Sequence, residues 1–277
     1  MTIRPRSDRR YDRALPLIAA LTAAPLLIAA APAQAAPGPV RYAALGDSFA
    51  AGAGAGQYDP ASGACHRSAR SYPQLWSSAH GPADFLFAAC SGALTADVLR
   101  DQVPRVPADA GLVTLTIGGN DLAFGDAAVA CLQPFTTDGH CDRALDESER
   151  RLREELPDRL ATLYRALDAQ APAARVVVTG YPHLLGAGAS CPVAPEPRRA
   201  RFNALTDRLD DLIEAQAAKQ GFHYADVRAA FDGHEACKGA AGEWIHPVTL
   251  PLWESFHPKA EGQVGGYLPS VSDAALG

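Results

Sequence analysis

The chain lacks the residue patterns that hold phosphates and metals. No phosphate-binding glycine loop and no metal-ligand cluster occurs, so nucleotide, metal and cofactor chemistry have no support, and we expect neither a cofactor nor a bound metal. There is no CxxC, which argues against a zinc site as the purpose of the cysteines. After the N-terminal segment there is no internal repeat, interior linker or low-complexity run, which excludes a repeat array and gives no reason to divide the chain into several domains. Positive charge is also short, at 25 Lys and Arg against 31 Asp and Glu, a net charge of −6.

What the N-terminus does have is an ordered set of segments. Arg4, Arg6, Arg9, Arg10 and Arg13 precede an apolar Ala/Leu stretch from Ala14 to Ala31, and Ala33-Gln34-Ala35 follows it. Charged, apolar and small residues in that order predict a secretory signal cleaved after Ala35. Arg9-Arg10 gives weak support to a twin-arginine variant. A membrane anchor is the alternative, since about 18 apolar residues can just span a bilayer. Pro16 and Pro25 interrupt the stretch, however, and the cleavage triplet follows directly. The expected organisation is therefore a signal at 1–35 and one domain at 36–277, secreted, monomeric, and without membrane insertion once the signal is gone. Losing five Arg and two Asp with the signal would take the net charge to −9. Such an acidic surface argues against nucleic acid and anionic membranes as partners.

Six cysteines remain, Cys65, Cys90, Cys131, Cys141, Cys191 and Cys237. An even count behind a secretory signal reads as three disulfides, with fifteen possible pairings; sequential pairing is the expectation.

Apolar runs at Val40–Leu45, Phe85–Ala89, Leu112–Ile117, Arg175–Thr179 and Phe222–Val227 are bounded by turn residues and read as five strands. Helical patterns lie at Ser71–Ala79, Thr95–Gln102, Ala144–Ala169 and Pro197–Gln220. Pro157 should bend or divide the third. Strand and helix alternate, which predicts an α/β chain with an open, mostly parallel sheet covered on both sides and a site at the carboxyl ends of the strands. Residues 181–197, rich in Pro, Gly and Ala, read as an ordered loop near that site.

Four strand-end or loop segments carry residues capable of chemistry. Ser48 ends the first run in Gly46-Asp47-Ser48, where a hydroxyl at a helix start sits beside free backbone N–H groups; alone, the same residue reads equally as a helix cap. Gly92 follows Cys90-Ser91 and offers either a backbone N–H or a flexible turn. Asn120, in Gly118-Gly119-Asn120-Asp121, can donate its amide to an oxyanion or simply form a turn. His257 lies in Trp253-Glu254-Ser255-Phe256-His257-Pro258 and could serve as a base for Ser48, with Glu254 as the acceptor for its second nitrogen. His246-Pro247 is a similar dipeptide and a competing candidate.

Taken together and in order, these segments resemble the SGNH, or GDSL, hydrolases. Gly46-Asp47-Ser48-Phe49 is similar to the Gly-Asp-Ser-Leu block, Gly92 to the second-block glycine, Gly119-Asn120-Asp121 to the Gly-x-Asn-Asp block, and Glu254 to His257 to the Asp-x-x-His block. Cys65-His66-Arg67-Ser68, Ser71-Tyr72-Pro73, Ala89-Cys90-Ser91-Gly92 and the six cysteines further resemble the extracellular actinobacterial, Streptomyces-type lipase and esterase branch. The resemblance implies a three-layer α/β/α sandwich of flavodoxin-like SGNH type with a five-stranded sheet. It also implies that Ser48 attacks an ester carbonyl, that Ser48 N–H, Gly92 N–H and Asn120 form the oxyanion hole, and that His257 moves the proton. Phe49 stands where leucine is usual and Glu254 where aspartate is usual. In some relatives of this branch a backbone carbonyl orients the histidine, so Glu254 and a carbonyl both remain open for that role. Asp47 and Asp121 are expected to fix their loops.

The expected activity is hydrolysis of carboxylic esters, small or lipid, outside the cell. The alternatives are a carbohydrate O-acetyl esterase on the same scaffold and a non-catalytic secreted binding protein.

Overall fold

Five short runs of apolar and β-branched residues form one sheet: β1 (Arg41–Gly46), β2 (Asp84–Phe87), β3 (Leu112–Thr116), β4 (Arg175–Thr179) and β5 (His223–Ala225). The computed structural model describes residues 40–132, 136–187, 194–239 and 241–277, together with Thr2. The strand order is β2-β1-β3-β4-β5 and every pairing is parallel, with Ala44 beside Phe87 and Thr114, and Thr114 beside Val177. This is the doubly wound order whose switch point falls between β1 and β3. β3 is buried along its whole length and β1 from its second residue on, as expected of central strands covered on both faces.

Ten helices surround the sheet: α1 (Ser48–Ala51), α2 (Tyr72–His80), α3 (Thr95–Asp97), α4 (Phe124–Leu132), α5 (Asp138–Glu154), α6 (Leu156–Gln170), α7 (Glu196–Gln220), α8 (Arg228–Phe231), α9 (Ala260–Gly262) and α10 (Leu268–Leu276), counted among the described residues. α2 and α10 pack together beside β2, β4 and β5, while α6 and α7 pack as a pair, with α7 against β4 and β5. Pro157 divides the predicted long helix, ending α5 at Glu154 and starting α6 at Leu156. Leu145, Leu152, Leu156, Leu160, Leu163 and Leu167 from this pair are all buried. At about 25 cal/mol per Å² of apolar surface removed from water, each such leucine stabilises the fold by roughly 1.5–3 kcal/mol.

The helices α1, α4, α8, α9 and α10 lie outside the four helical patterns read from the sequence. Thr95–Gln102, read there as one helix, is instead the single turn α3 followed by a π turn over Val98–Gln102. Cys65 bonds Cys90 and Cys131 bonds Cys141. The third expected pair includes Cys191, which lies outside the described residues, as does the expected signal at 1–35 apart from Thr2. No described helix is long and apolar enough to cross a membrane.

Candidate active site

The tip of β1 must pass close to its neighbour before it can present a side chain. Gly46 has φ +128°, and a Cβ there would lie 2.2 Å from the Thr116 carbonyl oxygen, so both the backbone angle and the space require glycine. Buried Gln102 clips this turn, accepting from Gly46 N at 2.8 Å and donating to Gly46 O at 2.9 Å. The chain then enters α1, whose cap is Asp47: its Oδ1 accepts from Phe49 N at 2.9 Å. Ser48 is thus the first helical residue, where a backbone N–H has no partner within the helix. Among the described residues, the N–H groups of Ser48 and Gly92 have no protein acceptor. Gly92 has φ +81° and lines the same cavity as Ser48.

His257 arrives from the other end of the chain. Its Nε2 lies 2.7 Å from Ser48 Oγ and its Nδ1 lies 3.0 Å from the Ser255 carbonyl oxygen. A carbonyl can only accept, so the ring proton of neutral His257 sits on Nδ1, and Nε2 is left to accept from the Ser48 hydroxyl. The ring packs against Phe49 with centroids 5.1 Å apart. Desolvation holds the imidazole well below its ordinary range, at about 4, and His246 adds to the effect; the Ser255 carbonyl opposes it. His257 is therefore neutral at pH 7 and able to take a proton.

The structure does not bring Glu254 to the imidazole. Its Oε1 accepts from the Tyr58 hydroxyl at 2.6 Å, and Tyr58 Oη in turn accepts from Gly54 N at 2.9 Å. Glu254 ends a 3₁₀ turn over Leu252–Glu254, and the chain then folds back so that a backbone oxygen, that of Ser255, reaches Nδ1. Of the two acceptors left open by the sequence, the carbonyl holds this position, and Glu254 clamps its loop to Gly54–Tyr58. His246 Nε2 lies 2.8 Å from Gly54 O and is likewise directed away from Ser48.

Asn120 follows β3 and faces the same cavity. Its Nδ2 donates to Ala93 O at 3.0 Å, which fixes the amide and leaves a second N–H. Asp121 is buried and accepts from Thr95 N at 3.0 Å and Thr95 Oγ1 at 2.7 Å, with Arg159 at 3.3 Å. It therefore joins the Asn120 loop to the loop that carries Gly92. Asp47 is also buried, and burial raises its carboxyl to about 7 against the hydrogen bonds from Tyr181 and Phe49. Two contributors had no usable signal in the sequence, Tyr58 and Tyr181, whose hydroxyl reaches Asp47 Oδ2 at 2.5 Å; that Ser255 supplies the carbonyl was likewise visible only in the structure.

The cavity at this site measures about 450 Å³. One wall is apolar, with Phe124, Ala128, Leu132, Leu184 and Phe202. At the mouth stand Trp253, stacked on His66 with centroids 3.8 Å apart, and the exposed side chains of Val129, Val248 and Leu252. Among the described residues, no group of three or more His, Cys, Asp or Glu is arranged to hold a metal ion. The chemistry such a site offers is that of a hydroxyl made nucleophilic by a neutral imidazole beside oriented N–H donors.

Comparison with known proteins agrees with this chemistry. The model of the GDSL-like Lipase/Acylhydrolase family matches residues 44–264. A lipase of Streptomyces rimosus is 43% identical over 272 residues, covering 97% of this chain and 99% of that protein. Lipase 1 of Streptomyces coelicolor is 43% identical over 258 residues, covering 93% of each. Among solved structures, the extracellular lipase of S. rimosus superposes with a TM-score of 0.81 at 44% identity, covering 85% of this chain and 99% of that one. Phospholipase A1 of Streptomyces albidoflavus gives 0.82 at 40% identity, covering 86% and 100%. The chain belongs to the GDSL-like lipase/acylhydrolase family and is a carboxylic ester hydrolase.

Proposed function

We propose that the protein is a secreted serine lipase or esterase that cleaves acyl esters through a covalent acyl-enzyme. The observation that carries this reading is the 2.7 Å contact between Ser48 Oγ and His257 Nε2, with Nδ1 held by the Ser255 carbonyl. Ser48 Oγ attacks the ester carbonyl carbon as its proton passes to His257 Nε2. The resulting oxyanion is received by Ser48 N–H, Gly92 N–H and the Asn120 amide. Collapse of the tetrahedral intermediate breaks the C–O bond, and His257 returns the proton to the departing alcohol. Water, deprotonated by the same imidazole, then releases the acid and restores the serine.

The apolar wall and the exposed Val129, Val248 and Leu252 at the mouth support an acyl chain of some length as the group bound beside Ser48. The relatives named lipase and phospholipase A1 support lipid esters as the class. The Arg-rich and Ala/Leu-rich first 35 residues support export.

A substrate panel tests the reading. Mature protein should hydrolyse p-nitrophenyl esters of medium acyl length and triglyceride or phospholipid faster than acetylated xylan, and Asn120→Ala should lower kcat by about 10²–10³. Preference for acetylated xylan would move the assignment to carbohydrate O-acetyl esters. Equal rates for the native protein and Ser48→Ala would end it.

A further inference from the structure

A single carbonyl meets a nucleophile and an oxyanion donor together only if the loops carrying them keep their spacing, since misplacement by about 1 Å can cost on the order of 10² in rate. Three loops leave the carboxyl end of the sheet at the site: Asp47-Ser48 after β1, Gly119-Asn120 after β3 and Gly180-Tyr181 after β4. The third carries no group used in the chemistry above, yet its tyrosine ends between the other two.

Tyr181 Oη donates to Asp47 Oδ2 at 2.5 Å and accepts from Gly119 N at 3.1 Å. A phenol has one proton to give and lone pairs to receive, so one oxygen satisfies both partners at once. Each partner is the chain neighbour of a reacting group: Asp47 precedes Ser48, and Gly119 precedes Asn120. The other Asp47 oxygen accepts from Phe49 N, so the carboxyl links the strap to α1 itself. The ring of Tyr181 meets Phe49 edge-on at 5.0 Å, and Phe49 lies 5.1 Å from the His257 ring. Tyr181 is anchored in turn: its backbone N donates to buried Asp210 Oδ1 at 2.9 Å, and the preceding Gly180 carbonyl accepts from Tyr267 Oη at 3.1 Å. Phenylalanine would fill the same space against Phe49, so packing alone does not explain the hydroxyl.

We propose that Tyr181 is a positioning residue whose hydroxyl straps the nucleophile loop to the oxyanion loop and sets the distance between Ser48 and Asn120. The proposal rests on the roles given above to Ser48 and Asn120. Because Tyr181 acts on spacing, it supports the tetrahedral intermediate far more than the bound substrate.

Tyr181→Phe removes the hydroxyl and keeps the ring. With a soluble p-nitrophenyl ester, kcat should fall tenfold or more while KM stays within about threefold, and affinity for an alkylboronic acid, which mimics the tetrahedral adduct on Ser48, should weaken in step with kcat. Asp47→Asn, which keeps an acceptor for Phe49 N, should give the same pattern, and the double variant should be no worse than the poorer single. Unchanged kcat, a loss confined to KM, unchanged boronate affinity, or additive losses in the double variant would each overturn the proposal. Loss of the cooperative melt in Tyr181→Phe would also overturn it, because the hydroxyl would then belong to the fold. Ser48→Ala measured alongside separates the cases, since its retaining activity would remove the underlying reading and not merely the strap.

Discussion

Replacing Glu254 separates a triad with an acid from a dyad held by a carbonyl. If Glu254 oriented His257, its loss would free the ring and cost orders of magnitude in kcat; in serine proteases, altering the acid of the triad costs about 10⁴. Here the carboxylate instead receives the Tyr58 hydroxyl at 2.6 Å, and Nδ1 is satisfied by Ser255 O at 3.0 Å. Hydrogen bonds to a charged group contribute about 1.5–3 kcal/mol and neutral ones about 0.5–1.5 kcal/mol. Glu254→Gln should therefore cost about 1 kcal/mol and Glu254→Ala about 2 kcal/mol. For a domain of this size, 1 kcal/mol moves Tm by about 2–4 °C, so the expected drops are about 2–4 °C and about 4–8 °C. Loosening of the loop that carries His257 should lower kcat by no more than about tenfold in either variant. Calorimetry and steady-state kinetics on a soluble ester read both numbers. A fall of 10³ or more in kcat with Tm unchanged would refute the reasoning and return Glu254 to the proton relay.

Three further outcomes follow from the same geometry. His257→Ala should abolish hydrolysis, whereas His246→Ala, which removes only the contact to Gly54 O, should retain most of it; the reverse result in a kcat comparison would exchange the two histidines. His257 must be neutral to accept a proton, and desolvation lowers its titration from 6.5 to about 4, so the acid limb that His257 sets in kcat/KM should lie toward 4, and is read cleanly in Asp47→Asn, where no carboxyl titrates at position 47. Asp47→Asn removes a second titration, raised by burial to about 7, and should leave that limb in place even as it lowers the plateau; an acid limb at 6.5 or above in both proteins would contradict the assignment. Leu252 lines the cavity and is 67% exposed, and Leu250, two residues before it, is 81% exposed, so Leu250→Asp/Leu252→Asp should reduce the rate on emulsified triglyceride at least fivefold and leave the rate on a soluble ester within twofold; equal losses on both would oppose a lipid-facing rim.

Much of this was legible in the sequence because strand tips and loops have characteristic composition. The Leu112–Ile117 run, stopped by Gly118-Gly119, marked β3 and the place of Asn120, and Gly46-Asp47-Ser48 marked the turn out of β1. Pro157 marked the break between α5 and α6. α4 escaped because Phe124–Leu132 is apolar or small on nearly every side, which blurs the helical period. A backbone carbonyl stood open beside Glu254, but that Ser255 supplies it was not legible, because a backbone oxygen has no side-chain signature. Tyr181 was hidden because a lone tyrosine after a strand becomes informative only when two distant loops are seen to converge on its hydroxyl.

The central claim is that Ser48 is the nucleophile that His257 activates. Peptide mapping by mass spectrometry after brief exposure to a fluorophosphonate tests it directly. One adduct is expected, on Ser48, absent from Ser48→Ala and formed at least a hundredfold more slowly in His257→Ala. An adduct on another residue, or equal labelling of the native protein and His257→Ala, would contradict it.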